Sequence, residues 1–241
     1  MYRWSVKQQR TILVTGVTSG IGEAIAQALL QAGHYVVGVA SRNDCSLIEN
    51  ENFIYERIDL SDLSALPEKL NGLVKRYPNI NGLVCNAGRG QYGSLEEFSY
   101  RQINELVELN FTSQVYVVRA FLPMLKRQGQ GDVILMGSEA ALSGGRRGAL
   151  YSATKFAVRG FAQALRDEVS KNNVRVTVIN PGMVKTPFFD TLSFEPGADE
   201  SQYILPEDVA KVVCFVMDAR AGTVFDEINL SPQKKVLRFK G

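Results

Sequence analysis

Tyr151 and Lys155 stand four residues apart in "YSATK", with only small residues between them. Residues at that spacing share a helix face, so both side chains can reach one cleft. A free tyrosine titrates near ~10, too high for a base at neutral pH. An ammonium ~4 Å away, at an effective dielectric of ~20, would favour the phenolate by ~4 kcal/mol, or ~3 pH units. Burial opposes that shift. The balance predicts a tyrosine brought near working pH, able to exchange a proton with a substrate oxygen. The same pair also fits one turn of an ordinary surface helix, so its chemistry depends on what the rest of the chain brings to it.

The elements that would position such a pair follow from the hydrophobic pattern. Apolar runs rich in β-branched residues alternate with longer helical patterns. "TILVTG" (Thr11–Gly16) reads as a strand, followed by a helix with apolar positions Ile21, Ile25, Leu29 and Ala32 and a stop at Gly33. "YVVGVAS", "FIYERIDL" and "INGLVCNAG" read as three more strands. Leu66, Leu70, Leu73 and Tyr77 mark a helix between the last two. Glu96–Gln128 reads as one long helix, apolar on more than one side. "GDVILMGS" is a fifth strand, Tyr151–Lys171 a helix and "VRVTVINPG" a sixth strand. A helix from Pro206 to Asp218, with proline suited to its first turn, and a seventh strand, "VFDEINL", complete the pattern. Strands apolar throughout belong to a parallel sheet covered on both faces. Repeated β-α-β units predict a single α/β domain over residues 1–241: a Rossmann-type, doubly wound, mostly parallel seven-stranded sheet. The one stretch without clear period is Thr186–Ile204. An insertion of that size is a functional lid or a disordered loop.

"TGVTSGIG" (Thr15–Gly22) joins the first strand to the first helix. Gly16 takes a tight turn, Gly20 lets backbone approach a pyrophosphate, and Gly22 lets helix pack close to sheet. The helix N-terminus adds N–H donors and a favourable dipole. A plain structural turn would also use glycines; the strand-turn-helix context is what favours a dinucleotide. At the end of the second strand, where an acidic residue would accept hydrogen bonds from the adenosine ribose, the chain has Ala40, Ser41 and Arg42. Arg42 is placed to pair with a 2′-phosphate, with Ser41 adding a hydrogen bond. That predicts NADP(H) in preference to NAD(H), unless Arg42 is only an exposed loop charge.

Composition excludes several classes. The 241 residues are 45% hydrophobic and 22% charged, with net charge +2. Nothing points to a nucleic-acid or anionic membrane surface. The three cysteines, Cys45, Cys85 and Cys214, are far apart, and the single histidine, His34, cannot build a His-based metal site. Odd, scattered cysteines fit a reducing compartment. No apolar run approaches the ~20 residues of a membrane span. "MYRWSVKQQR" lacks the apolar core of a signal peptide. The expected location is cytoplasmic. Lys234, Lys235, Arg238 and Lys240 form a short basic tail that reads as a solvated end.

Together these motifs resemble the short-chain dehydrogenase/reductase family, over about Thr11 to Leu230. "TGVTSGIG" matches that family's TGxxxGIG turn, which places Gly16, Thr18, Ser19, Gly20, Ile21 and Gly22 at the cofactor. "NAG" (Asn86, Ala87, Gly88) matches the end of its fourth strand. Asn110, Ser138, Tyr151 and Lys155 fall where the family keeps its catalytic tetrad. Pro181, Gly182, Val184 and Thr186 match the segment that receives the nicotinamide carboxamide. Asp59 and Leu60, in "IDL", match the adenine contact, although Asp59 also fits a helix cap and Asn86 a loop-shaping role.

The resemblance implies an oxidoreductase interconverting a carbonyl and an alcohol with NADP(H). Tyr151 would be the acid, Ser138 the oxygen's hydrogen-bond partner, and Lys155 the holder of the nicotinamide ribose. Asn110 would anchor a water leading to solvent. It also implies a homodimer or homotetramer, with the helices carrying Asn110 and Tyr151 covered on both sides. A 3-oxoacyl-thioester reductase of the same family, a lyase or epimerase, and a sensor that only binds nucleotide are the other readings. The chain lacks the glycine-rich ending common among thioester reductases, which favours a small carbonyl or hydroxy-acid substrate. Glu139 beside Ser138 is unexpected for anionic substrates; it either faces solvent or favours an amine or hydroxyl. Arg146 and Arg147 could meet a carboxylate at the cleft mouth or stand as an exposed loop pair. Phe188, Phe189, Leu192 and Phe194 could wall the cofactor or pack on a neighbouring subunit.

Overall fold

The computed structural model describes residues 9–240. Most of the N-terminal stretch whose composition argues against a signal peptide lies outside the described residues. Seven strands form one sheet: β1 (Thr11–Thr15), β2 (Tyr35–Ala40), β3 (Phe53–Arg57), β4 (Ile80–Cys85), β5 (Gly131–Met136), β6 (Val174–Pro181) and, counting a small strand still to be described, β8 (Glu227–Leu230). Their order is β3-β2-β1-β4-β5-β6-β8, and every neighbouring pair runs parallel. The helices are α1 (Gly20–Gln31), α2 (Leu66–Arg76), α3 (Tyr100–Val107), α4 (Ser113–Gln128), α5 (Ala149–Val169) and α6 (Pro206–Met217).

The apolar strands are explained by cover on both faces. Leu13, Val37, Val39, Leu83, Val133 and Leu135 pack into one core with residues of α2, α4 and α5. Their neighbours Ile12, Val14, Val36, Val84 and Ile134 pack into a second core with α1 and α6. Successive strand residues thus alternate between cores, and each fully buried Leu or Ile contributes roughly 1.5–3 kcal/mol. At the strand starts, the buried carboxylate of Asp132 is held by Arg10 at 2.6 Å and Arg175 at 2.7 Å, so the charge it places inside is matched.

Strand order reverses at β1: the chain runs out through β2 and β3, then returns to start β4 on the other side. The crevice beyond the C-terminal ends of β1 and β4 is where such sheets hold ligands.

Three sequence expectations need correction. The long helix over Glu96–Gln128 is not continuous. It opens with a short 3-10 turn at Leu95–Glu97, restarts at α3 under a Ser99–Gln102 capping box, and widens into a π-helical turn at Glu108–Thr112 before α4. Thr186–Ile204 contains 3-10 turns at Pro187–Phe189 and Glu200–Gln202 and a strand, β7 (Phe194–Pro196). The basic tail is exposed to solvent but is not a free end. Its strand β9 (Leu237–Phe239) pairs antiparallel with β7. Arg238 pairs with Glu195, and the Lys240 ammonium donates to the carbonyls of Phe189 and Asp190. The basic residues mark a strap across the insertion because acidic and carbonyl groups of that insertion receive them.

Candidate active site

The crevice at the switch point opens into a cleft of about 1340 Å³, larger than the ~300–1,000 Å³ of a typical small-molecule site. All the candidate residues named from sequence line it except Gly22, Asn110 and the buried Leu192. Those three are buried behind its wall.

At one end, Gly16 turns with φ +76° and Gly20 opens α1 with φ +60°, a region in which side chains other than glycine are strained. Ser19 precedes α1 without a side-chain cap, so the first-turn N–H groups are left for a ligand at the cleft. Gly22 lies against the turn: a Cβ there would come 2.1 Å from the Gly16 carbonyl oxygen and 2.5 Å from Asn86 Nδ2. Gly22→Ala should therefore cost about 1–3 kcal/mol by overpacking, read as a lower denaturant midpoint. An unchanged midpoint would show that the turn is not closely packed.

Thr15 organises the next strand end. Its hydroxyl oxygen accepts from Asn86 N at 2.9 Å and Ala87 N at 3.0 Å, while Asn86 Nδ2 donates to the Thr15 carbonyl. Asn86 thus shapes the loop. Asp59 does not cap α2; it accepts from the backbone and hydroxyl of Ser61 while lining the cleft. Arg42 reaches back to Thr18, donating from Nε at 2.9 Å and Nη2 at 2.8 Å to its hydroxyl, with Asp44 at 3.8 Å. Its guanidinium is half exposed beside Ser41 at the rim.

The other end holds the tyrosine. Ser138 follows β5 beside Tyr151, and its hydroxyl oxygen accepts from Ala140 N at 3.1 Å. Asn180, buried in β6, accepts from Ser138 N at 3.2 Å and donates to Glu227 and Asn229. A Cβ on Gly137 would sit 2.0 Å from Asn180 Oδ1, so the glycine permits this clamp. Sequence reading passed over Asn180; an asparagine inside an otherwise apolar strand is the signal that was there to find.

Lys155 lies one helical turn beyond Tyr151. Its ammonium sits 5.8 Å from the Tyr151 ring centroid and donates to the Met136 carbonyl at 2.9 Å. Asn110, fully buried, sits in the π-helical turn. Its Oδ1 accepts from Arg89 N at 2.9 Å, and its Nδ2 donates to the Arg89 carbonyl at 2.9 Å and to Thr154 at 3.3 Å. Thr154 in turn donates to the Tyr151 carbonyl. Gly88 leaves room for this cluster, its missing Cβ lying 3.1 Å from Asn110 Oδ1 and 3.9 Å from Lys155 Nζ.

The electrostatics differ from the simple two-charge expectation. Burial pushes Tyr151 up to about 12, the neighbouring Ser138 hydroxyl lowers it, and the charge of Glu139 raises it further. Burial also pushes Lys155 down to about 8. Desolvation outweighs the Coulombic help that spacing alone suggested, because both groups are inside rather than on a helix surface. The tyrosine is held as a neutral acid. Glu139, instead of facing solvent, pairs with Lys235 of the tail at 3.0 Å. Arg147 pairs with Glu97 at 2.9 Å, whereas Arg146 is exposed at the cleft mouth. Tyr92, unnoticed in the sequence, packs tilted against Tyr151 with ring centroids 5.1 Å apart.

Residues 10–196 match the family model for short chain dehydrogenases. The chain belongs to the short-chain dehydrogenase family. It is 31% identical over 233 residues to the NADP-dependent 3-hydroxy acid dehydrogenase of Escherichia coli K12, covering 92% of this chain and 94% of that one. Sepiapterin reductase of Chlorobaculum tepidum is 29% identical, with 92% and 95% covered. Among solved structures, the alcohol dehydrogenase of Thermococcus sibiricus complexed with 5-hydroxy-NADP superposes with a TM-score of 0.84 at 26% identity, covering 95% of this chain and 99% of that one. The family is one of oxidoreductases, and the seven-stranded parallel sheet is its fold.

Proposed function

We propose that this chain is an NADP(H)-dependent oxidoreductase interconverting a ketone or aldehyde and its alcohol, with Tyr151 as the acid and base. The observation that carries the reading is the meeting of Tyr151, Ser138 and Lys155 in a cleft that begins at the glycine turn. The residues present fit a dinucleotide: an uncapped helix start, glycines at positive φ, and a guanidinium at the rim. Gly16 to Ile21 and the Asn86–Gly88 loop would hold the pyrophosphate and ribose region. Asp59 and Leu60 would meet the adenine, and Pro181, Gly182, Val184 and Thr186 the carboxamide. When bound, the nicotinamide supplies or accepts the hydride of the reaction.

The chain's own groups do the rest. Ser138 fixes the substrate oxygen by a hydrogen bond that strengthens as negative charge grows there. Tyr151, kept protonated by burial, releases its proton to that oxygen in reduction and recovers one in oxidation. Lys155, an ammonium one turn away, opposes the charge left on the phenolate and is placed to hold ribose hydroxyls. Asn110 keeps the Arg89 backbone and Thr154 in place behind it.

NADP(H) in preference to NAD(H) rests on Arg42 and Ser41, and it is supported by the NADP-dependent E. coli relative and the 5-hydroxy-NADP complex of the Thermococcus enzyme. Side-by-side calorimetry should show NADPH binding at least ~10-fold tighter than NADH, about 1.4 kcal/mol. Arg42→Asp should invert that order by replacing a guanidinium with a group that repels phosphate and accepts from ribose. An unchanged preference would place the phosphate elsewhere, and no binding of either nucleotide would remove the enzyme reading. The same reading has the protein acting in the cytoplasm as a homodimer or homotetramer on a small molecule. Exposed Tyr100 on α3 and Phe156 on α5 give such an assembly apolar surface to cover.

A further inference from the structure

Five aromatic rings, that of Tyr151 among them, form a closed chain of contacts in the cleft. Tyr92 meets Tyr151 at 5.1 Å, Tyr151 meets Phe188 at 6.1 Å, and Phe188 meets Phe189 at 5.2 Å. Phe189 meets Phe194 at 6.0 Å, and Phe194 returns to Tyr92 at 4.9 Å. All five line the cleft. Phe188 is seated against Gly90, where a Cβ would come 2.4 Å from its ring. Phe194 is carried by β7, which β9 of the tail holds in place, and the tail adds Val236 and Leu237 to the same wall.

The charged groups near this wall are already committed. Lys235 is paired with Glu139, Arg147 with Glu97 and Arg89 with Glu105. Lys155 is buried and donates to Met136. Arg146 is exposed at the outer edge. A substrate carboxylate close to the carbonyl would lose its hydration among rings, and the carboxylate of Glu139, whose charge reaches Tyr151, would repel it. A flat apolar group would replace water against ring faces and edges, which is favourable both by area and by geometry.

We infer that the substrate is an uncharged ketone, or the matching secondary alcohol, bearing an aryl or similarly bulky apolar group that sits within the ring of Tyr92, Phe188, Phe189 and Phe194 at Tyr151. This rests on the proposed carbonyl reaction. It departs from the 3-hydroxy acid in the E. coli relative's name.

Two methyl ketones of matched length test it: 4-phenyl-2-butanone and 4-oxopentanoate, with 2-butanone as the small control. With NADPH and the whole protein, kcat/KM for the aryl ketone should exceed that for the keto acid by at least ~100-fold. Phe194→Ala should lower the ratio of the aryl value to the 2-butanone value at least ~10-fold. A preference for 4-oxopentanoate, or an equal loss on both ketones in the variant, would overturn the inference. Calorimetry with the corresponding alcohols in the presence of NADPH separates pocket from reaction, since no turnover occurs. Selective binding of 4-phenyl-2-butanol without turnover of any ketone would keep the pocket and remove the proposed reaction. Tighter binding of 4-hydroxypentanoate, or binding of neither alcohol, would remove the aryl pocket whatever the turnover.

Discussion

Tyr151→Phe should lose at least ~10³-fold in kcat for carbonyl reduction, while NADPH still binds within ~3-fold of the unaltered chain. The substitution keeps the ring, and with it the contacts to Tyr92 and Phe188. It removes only the hydroxyl, the group that burial holds protonated. Positioned proton transfer contributes typically 10²–10⁴-fold, and Ser138 cannot replace it, because a serine hydroxyl that gave up its proton would leave an alkoxide. On the proposed reading, nucleotide binding would draw chiefly on the glycine turn, the Asn86–Gly88 loop and the rim at Arg42, rather than on that hydroxyl. A variant keeping more than a tenth of the activity would show that another group supplies the proton.

Lys155→Met should abolish turnover and yet stabilise the fold near neutral pH. The ammonium is buried, and burial takes its pKa from 10.5 to about 8. That drop amounts to about 3 kcal/mol of destabilisation wherever both folded and unfolded chains carry the proton, which is below about pH 8. Between about pH 8 and 10.5 the folded chain has released the proton and the unfolded chain still holds it. Stability of the unaltered protein therefore climbs with pH through that window, and the penalty is gone above it. Methionine fills the space of the stem but forfeits the hydrogen bond to the Met136 carbonyl, about 1 kcal/mol. The variant should be about 2 kcal/mol more stable at pH 7 and slightly less stable at pH 10.5, by urea unfolding. A difference that does not change with pH would mean the ammonium is not desolvated. The expected crossing expresses a cost that the site carries in order to keep a cation beside Tyr151.

These two residues also show where sequence reading ends. The spacing of Tyr151 and Lys155 put them on one face, and the alternation of apolar runs with helical periods gave the seven parallel strands, because both are local patterns. Depth is not local. Two charges four residues apart on an exposed helix would lower the tyrosine, whereas the same two under β5 and the aromatic wall move apart in the opposite sense. The β7–β9 pair was illegible for a related reason. Three residues are too short to show alternation, and Phe194 meets Phe239 across 44 intervening positions. The tail's Lys235, Arg238 and Lys240 looked like solvent-facing charge because their partners, Glu139, Glu195 and the Phe189 carbonyl, lie far away in sequence. Arg42 and the glycine turn were readable because strand, turn and helix are contiguous. Asn180 was passed over because a single polar residue in an apolar strand does not announce its partners.

The π-helical turn at Glu108–Thr112 has a consequence for how such a site can arise. A π turn holds one residue more than an α turn, and the extra residue swells the helix locally without changing the packing phase on either side. Deleting one residue there would let α3 run straight into α4, with Val117, Phe121 and Leu125 still facing the sheet. Asn110 would withdraw from the Arg89 backbone and Thr154. Scaffold and the support that Asn110 gives the Arg89 backbone and Thr154 are thus separable by a single codon, and a fold of this kind can acquire or lose that support by a one-residue insertion or deletion while its core stays intact.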